Sequence, residues 1–436
     1  MQVSVQSSEG LERRLTVVVP AERVETAVQE RLKSLARRVK VDGFRPGKVP
    51  FSLVQRMYGE QVRFEVQDEV VQSSFRDAVT QQQLRLAGTP RIESSSLEPD
   101  KGLEYTAVFE IYPEVEQVNL DNIKIEKPVA EVTEADVAVV LERLRKQATE
   151  WVAVERPAQD GDKLVLDFTG SIEGQSFAGN EGKEVPVVLG SKTFIAGFED
   201  KLTGAKAGEE RTLDLQFPEE YHAAELAGKP VQFAVKVISV SEPKLPEVDD
   251  EFAQAYGITE GGAAALRAEI RGNMQREMEQ AIKRKVKQQV LDGLLQANPL
   301  TLPRALIDDE IGQLMQQAKD DLAARGAQMA NINLQPGMFE EHARRRVALG
   351  LILAEIIRKN AFKAQPENLR AAVEAAASSY ESPTEVVNWY YADRRRLAGV
   401  EALVLEDQAV AWVLQNVAVS DAPTTFEVLM QSSQQG

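Results

Sequence analysis

The chain has no cysteine among its 436 residues and only two histidines, His222 and His342. The first absence removes any disulfide framework and all thiol chemistry. The second rules out a histidine-rich metal site. A Ser-His-Asp triad would need one of those two residues, and no nucleophile-elbow pattern accompanies either. No phosphate-binding P-loop is present, and no dinucleotide-binding glycine pattern sits between a strand and a helix. Long apolar runs are scarce as well. The longest, Val347 to Ala354, is far too short to span a bilayer. Met1 to Arg14 is polar and lacks the apolar core of a signal peptide. These features lead us to expect a cytoplasmic protein with no membrane partner, cofactor or metal.

What is present is a soluble-type composition, 43% apolar and 27% charged, with a net charge of −17. A chain of this length holds several domains, each able to bury its own core. Against the acidic total, one loop is basic. Gly43-Phe44-Arg45-Pro46-Gly47-Lys48-Val49-Pro50 combines two glycines and two prolines around an exposed Phe-Arg, which cannot continue a helix. Between residues 31 and 48, Arg31, Lys33, Arg37, Arg38, Lys40, Arg45 and Lys48 face Asp42 as the one acidic residue. Such a concentration of cations at a helical tip points to docking on something anionic, with RNA one candidate.

The organisation changes along the chain. Leu11 to Val19 alternates as a strand, and Val24, Val28, Leu32, Leu35 and Val39 keep helical spacing after Pro20. Beyond the octet we expect a short helix over Phe51 to Tyr58 and a longer one from Gly59 to about Leu84. Leu103 to Ile111 reads as a half-buried strand. Residues 1–112 are thus an α+β unit. Residues 113–149 form a connector packing with the C-terminal domain, with a helix capped by Thr133 and Asp136. Residues 150–243 are glycine-dense, with short alternating strands at Lys163 to Thr169, Arg211 to Phe217 and Val231 to Val240. Residues 244–419 are helical, and the Gln- and Ser-rich end, residues 420–436, is expected to be disordered. On the first long helix, Leu266, Ile270, Met274, Met278, Ile282, Val286, Val290 and Leu294 recur every fourth residue. That stripe drifts about 40° per step and winds around the helix, so it cannot serve one flat partner.

Two resemblances follow from these motifs. Asp167-Phe168-Thr169-Gly170, Phe177, Leu189-Gly190, Phe194-Ile195-Ala196-Gly197-Phe198-Glu199, Phe217-Pro218-Glu219-Glu220-Tyr221 and Phe233 together resemble an FKBP-type prolyl isomerase domain. The resemblance puts Phe168, Phe177, Phe194, Ile195, Phe198, Tyr221 and Phe233 on an apolar pocket, with the Tyr221 hydroxyl toward a substrate carbonyl. Spacing alone leaves open that these aromatics are only the core of a small β domain. The family usually has a carboxylate at Ala178, often an aromatic at Val185, and trigger factors usually have proline at Ala196. These departures imply a shallower pocket and a weaker isomerase.

The octet closely resembles the ribosome-docking loop of the bacterial trigger factor family, and the order of domains resembles that family over essentially the whole chain. It implies a multidomain α+β fold: an N-terminal ribosome-docking domain, an FKBP-like β-rich domain with a short helix, and a long all-α C-terminal domain with arm-like helices. Phe44, Arg45 and Pro46 map onto the contact tip, with Lys48 beside them. The implied partners are the large ribosomal subunit near the nascent-chain exit, and nascent or unfolded polypeptides. The implied activity is cis–trans isomerisation of X-Pro bonds alongside chaperoning. An ATP-independent holdase with a weak or vestigial pocket is the alternative. Homodimer formation off the ribosome stays open, as do the individual client-binding residues.

Overall fold

Strict alternation builds the N-terminal core. β1 (Gln2–Ser7) pairs antiparallel with β2 (Glu12–Val19), which buries Leu15, Val17 and Val19 on every second residue. Pro20 supplies the fixed φ that starts α1 (Ala21–Ala36), whose Val24, Val28 and Leu32 face inward. α2 (Phe51–Gln81) is one unbroken helix rather than the two expected. A lone glycine costs a helix about 1 kcal/mol, and Val54, Val62, Val66 and Val70 hold Gly59 inside one buried stripe. β3 (Arg91–Glu98) and β4 (Gly102–Glu110) complete an antiparallel sheet of order β1-β2-β4-β3. Tyr105 on β4 is fully buried, and its hydroxyl meets that of buried Ser74 on α2 at 2.9 Å.

The computed structural model describes the chain except residues 8, 9, 43, 45–48, 99–101, 116, 178, 222, 224, 225, 326–333, 379, 435 and 436. It divides into two units, Met1–Lys127 with Arg284–Ala422, and Pro128–Lys283 with Pro423–Gly436. After β5 (Lys124–Val129) comes α3 (Glu134–Gln147), opened by the expected Thr133–Asp136 capping box. β6 (Glu150–Ala153), β7 (Lys163–Ser171), β8 (Glu181–Val188), β9 (Glu210–Gln216) and β10 (Pro230–Lys244) form a five-stranded sheet. β10 pairs with β6, β7 and β9, and β7 pairs with β8. One short helix, α4 (Phe198–Leu202), packs on it through Phe198 and Leu202. α5 (Asp250–Ala255) and the long α6 (Gly262–Ala297) follow.

The winding stripe on α6 meets different neighbours along its length. Leu266, Ile270 and Met274 join Val137, Leu141 and Phe252 in one core. Val286, Val290 and Leu294 are buried further on, while Met278 and Ile282 between them are only half-buried. The remaining helices are α7 (Arg304–Ala324), α8 (Glu340–Lys359), α9 (Pro366–Ala377), α10 (Pro383–Tyr391) and α11 (Arg394–Asn416). The expected single helix from Pro383 breaks at Asp393, whose extended backbone and side chain cap the Arg395 N–H at 2.8 Å.

The end of the chain corrects the expectation of disorder. β11 (Ala418–Pro423) pairs with β5, and α12 (Phe426–Gln434) follows. Leu429 is 1% exposed and Phe426 packs against the core around Ile270 and Met274. Those two apolar anchors outweigh the polar Gln and Ser composition around them. Among the described residues, no helix is long and apolar enough to cross a membrane, and no group of three or more His, Cys, Asp or Glu is placed to hold a metal ion.

Candidate isomerase site and docking loop

Four phenylalanines from separate elements meet on one side of the five-stranded sheet. Phe168 comes from β7, Phe233 from β10, Phe198 from the first position of α4, and Phe194 from the loop before it. Phe194 stacks on Phe198 at 4.8 Å and 15°. Phe168 stands roughly perpendicular to Phe194, Phe198 and Phe233, at centroid distances of 6.3, 6.2 and 5.8 Å. Phe198 and Phe233 cross at 5.6 Å. Each such pair adds roughly 0.5–1.5 kcal/mol beyond burial, so the rings hold one another in place. Phe198 and Phe233 are buried, whereas Phe168, Phe194 and neighbouring Ile195 are half-buried and keep surface open to a ligand.

Phe177 and Tyr221 join through a residue the pocket expectation omitted. Phe217 lies 5.9 Å from Phe177 and 4.7 Å from Tyr221. The spacing Phe217 to Tyr221 carried that signal, since both flank one turn closed by the Tyr221 N–H on the Pro218 carbonyl at 3.2 Å. Two glycines make the rings fit. Gly170 sits opposite Phe233 in the β7–β10 register, and a Cβ there would lie 2.7 Å from the Phe233 ring and 3.0 Å from Phe177. A Cβ on Gly182 would lie 2.6 Å from Phe168 and 2.8 Å from Val185. Glycine inside a strand is the sequence sign of such a close approach. Val185 thus packs beside Phe168 where the family often has an aromatic, and Ala178 lies outside the described residues.

Glu199 is the other residue missed. Its buried carboxylate accepts the N–H groups of Lys192, Thr193 and Phe194 at 2.9, 2.9 and 3.3 Å, and the Ser191 hydroxyl at 3.1 Å. Burial alone would raise its pKa. The backbone donors Lys192 and Phe194, with Ser191 and Thr193, outweigh burial and hold the carboxyl below its ordinary 4.5. Glu199 therefore fixes the loop that carries Phe194 and Ile195. Gly197, at φ 83, lets that loop turn into α4.

In the candidate docking loop, Phe44 is 42% exposed, and its N–H donates to the Val41 carbonyl at 3.1 Å. Val49 is buried and anchors the far side. Lys33, Arg37, Arg38 and Lys40 are exposed nearby, while Arg31 pairs with Glu65 at 3.5 Å and is partly neutralised. Arg45, Pro46 and Lys48 lie outside the described residues.

Comparison with known proteins assigns the chain in three stretches. Residues 1–144 match the family model for bacterial trigger factor protein, 263–415 match the model for its C-terminus, and 154–238 match FKBP-type peptidyl-prolyl cis-trans isomerase. A trigger factor from Thioalkalivibrio sulfidiphilus is 49% identical over 436 residues, covering 100% of this chain and 99% of the relative. The chain belongs to the trigger factor family. A trigger factor from Alkalilimnicola ehrlichii is 48% identical over 434 residues, with 100% and 96% covered. A solved trigger factor chaperone structure, described for promiscuous substrate recognition in folding and assembly activities, shares the fold. Its TM-score is 0.53 at 19% identity, covering 95% of this chain and 99% of that one. As a member of the trigger factor family, the chain is a chaperone that carries an FKBP-type peptidyl-prolyl isomerase domain.

Proposed function

We propose that this trigger factor family member docks on the large ribosomal subunit near the nascent-chain exit and isomerises X-Pro bonds in the polypeptides it shields there, in the cytoplasm. Residues 1–112 dock, 150–243 isomerise and 244–419 shield, with no nucleotide cycle driving release. The observation that carries the isomerase assignment is the half-open phenylalanine cage. Rotating a prolyl amide faces about 18–20 kcal/mol because the planar amide is resonance-stabilised. An apolar, water-poor cage favours the twisted, less delocalised amide over the planar one, so no nucleophile is needed. In this reading Phe168, Phe177, Phe194, Ile195, Phe198, Tyr221 and Phe233 contact the prolyl segment, and the Tyr221 hydroxyl donates to a substrate carbonyl.

Proline-limited refolding of a model client tests it. Phe194→Ala removes a half-buried wall and slows the catalysed phase at least tenfold; an unchanged rate refutes the cage. For docking, Phe44, Arg45, Pro46 and Lys48 supply one apolar contact and two cations toward phosphate oxygens. Salt-sensitive co-sedimentation with ribosomes should be lost when Phe44, Arg45 and Pro46 become alanine. Equal pelleting would refute the docking role.

A further inference from the structure

β8 breaks its own alternation beside the cage. Across from β7, Val185 pairs with Leu166 and Gly182 pairs with Phe168, so Lys183 and Glu184 together face Asp167. Two residues against one make a β-bulge, a device that re-aims side chains. Gly182 and Val185 are three positions apart, and in an unbroken strand they would point to opposite faces of the sheet. Here they share the cage face. A Cβ on Gly182 would lie 2.6 Å from the Phe168 ring and 2.8 Å from a Val185 methyl. The bulge has a conformational cost. Glu184 sits at φ 50, in the left-handed region that residues with a Cβ rarely adopt. Its side chain is exposed, so packing does not impose that conformation. A hydrogen bond supports it instead: the Asp167 carboxylate, through Oδ1, accepts the Glu184 N–H at 2.8 Å.

We infer that Asp167 is a positioning residue of the isomerase, holding the β8 bulge that seats the Phe168 ring in the cage. The inference rests on the cage reading above. Asp167 does not line the cage, because it alternates with Phe168 along β7 and points to the other face. It acts through register. Without the bulge, pairing would run on from Val185 and place Lys183, not Gly182, opposite Phe168. A Cβ at that place would run into the ring, since the space there admits only glycine. Phe168 would shift, and with it the ring that stands against Phe194, Phe198 and Phe233. The role also accounts for the residue type. Aspartate is depleted inside strands, yet its short side chain is what reaches the N–H of the neighbouring strand.

The test uses the full chain in proline-limited refolding. Asp167→Ala removes the acceptor and lowers kcat/KM about tenfold, because a misplaced contact of ~1 Å costs rate steeply. Asp167→Asn keeps a carbonyl oxygen for the Glu184 N–H and stays within about twofold of the wild type. Adding Glu184→Gly to Asp167→Ala removes the left-handed cost and brings the rate back to that range. The nuclear Overhauser contact between a Val185 methyl and the Phe168 ring follows the rate. It is lost in Asp167→Ala and regained in the double variant. A wild-type rate in Asp167→Ala overturns the inference, as does a loss that Glu184→Gly leaves unrepaired. Phe194→Ala, assayed alongside, separates the two failures. If it slows catalysis while Asp167→Ala does not, only the role of Asp167 falls. If neither slows it, the cage falls too.

Discussion

Replacing Glu199 by glutamine should loosen the cage without touching an aromatic ring. One carboxylate oxygen, Oε1, accepts from Ser191, Thr193 and Phe194, and the other, Oε2, accepts from Lys192. The glutamine carbonyl can keep the first set, but its amide nitrogen then faces the Lys192 N–H donor to donor. The lost bond leaves a buried donor unpaired, at about 1–3 kcal/mol, and the remaining bonds lose their charge assistance. A total of about 3 kcal/mol follows. Hydrogen exchange reads it directly: the amides of Lys192, Thr193 and Phe194 should exchange about a hundredfold faster. The catalysed refolding phase should slow with them, because Phe194 no longer holds its stack on Phe198. The pH dependence fixes the cause. The folded pKa is depressed below 4.5, so the stabilisation is fully present above that value and is lost as pH falls through the lower folded value. Wild type and Glu199→Gln should therefore differ most at neutral pH and converge only well below pH 4.5. Wild-type exchange rates at Lys192 and Thr193 in the variant, or a gap that persists undiminished into strong acid, would refute this account of the loop.

Gly170→Ala places a methyl 2.7 Å from the Phe233 ring, and overpacking of this kind costs about 1–3 kcal/mol; it should depress the isomerase rate and lower the melting transition of the domain. Leu429→Ala empties the buried side beneath α12 and should cost about 2–5 kcal/mol, seen as faster amide exchange through residues 426–434 with isomerase activity intact.

The cage residues were legible because each sits in a motif with fixed spacing, and the β7, β9 and β10 strands because apolar and polar residues alternate cleanly. Glu199 was harder to see. A carboxylate after an aromatic in a helix start reads as a solvated residue, and only the folded loop brings three backbone N–H groups onto it. Gly170 and Gly182 left a visible mark, glycine within a strand, but nothing in the sequence says which ring lies above each. α12 escaped for the opposite reason. Its flanks are Gln- and Ser-rich, and two anchors decide its order: Phe426, which packs on the core built by α3 and α6, and Leu429, which is buried.

The winding stripe on α6 shows where local pattern stops being informative and tertiary context takes over. A strict four-residue repeat cannot keep one face of a 3.6-residue helix buried, so the stripe has to change partners along its length. It does so at Met278 and Ile282, which are half-buried between two well-packed stretches. The repeat therefore signals a helix shared among neighbours, but it does not identify them. Ile270 and Met274 show the consequence. Read from the sequence they are two more rungs of a core stripe. In the fold, the same two side chains join the core around Val137 and Phe252 on one side and floor a hollow beneath α12 on the other. A residue that packs a core and also lines a hollow cannot be told from a purely core one by periodicity, because both positions take the same apolar side chain. What separates them is the company the hollow keeps, an exposed valine and an acidic rim contributed by helices far apart in the chain.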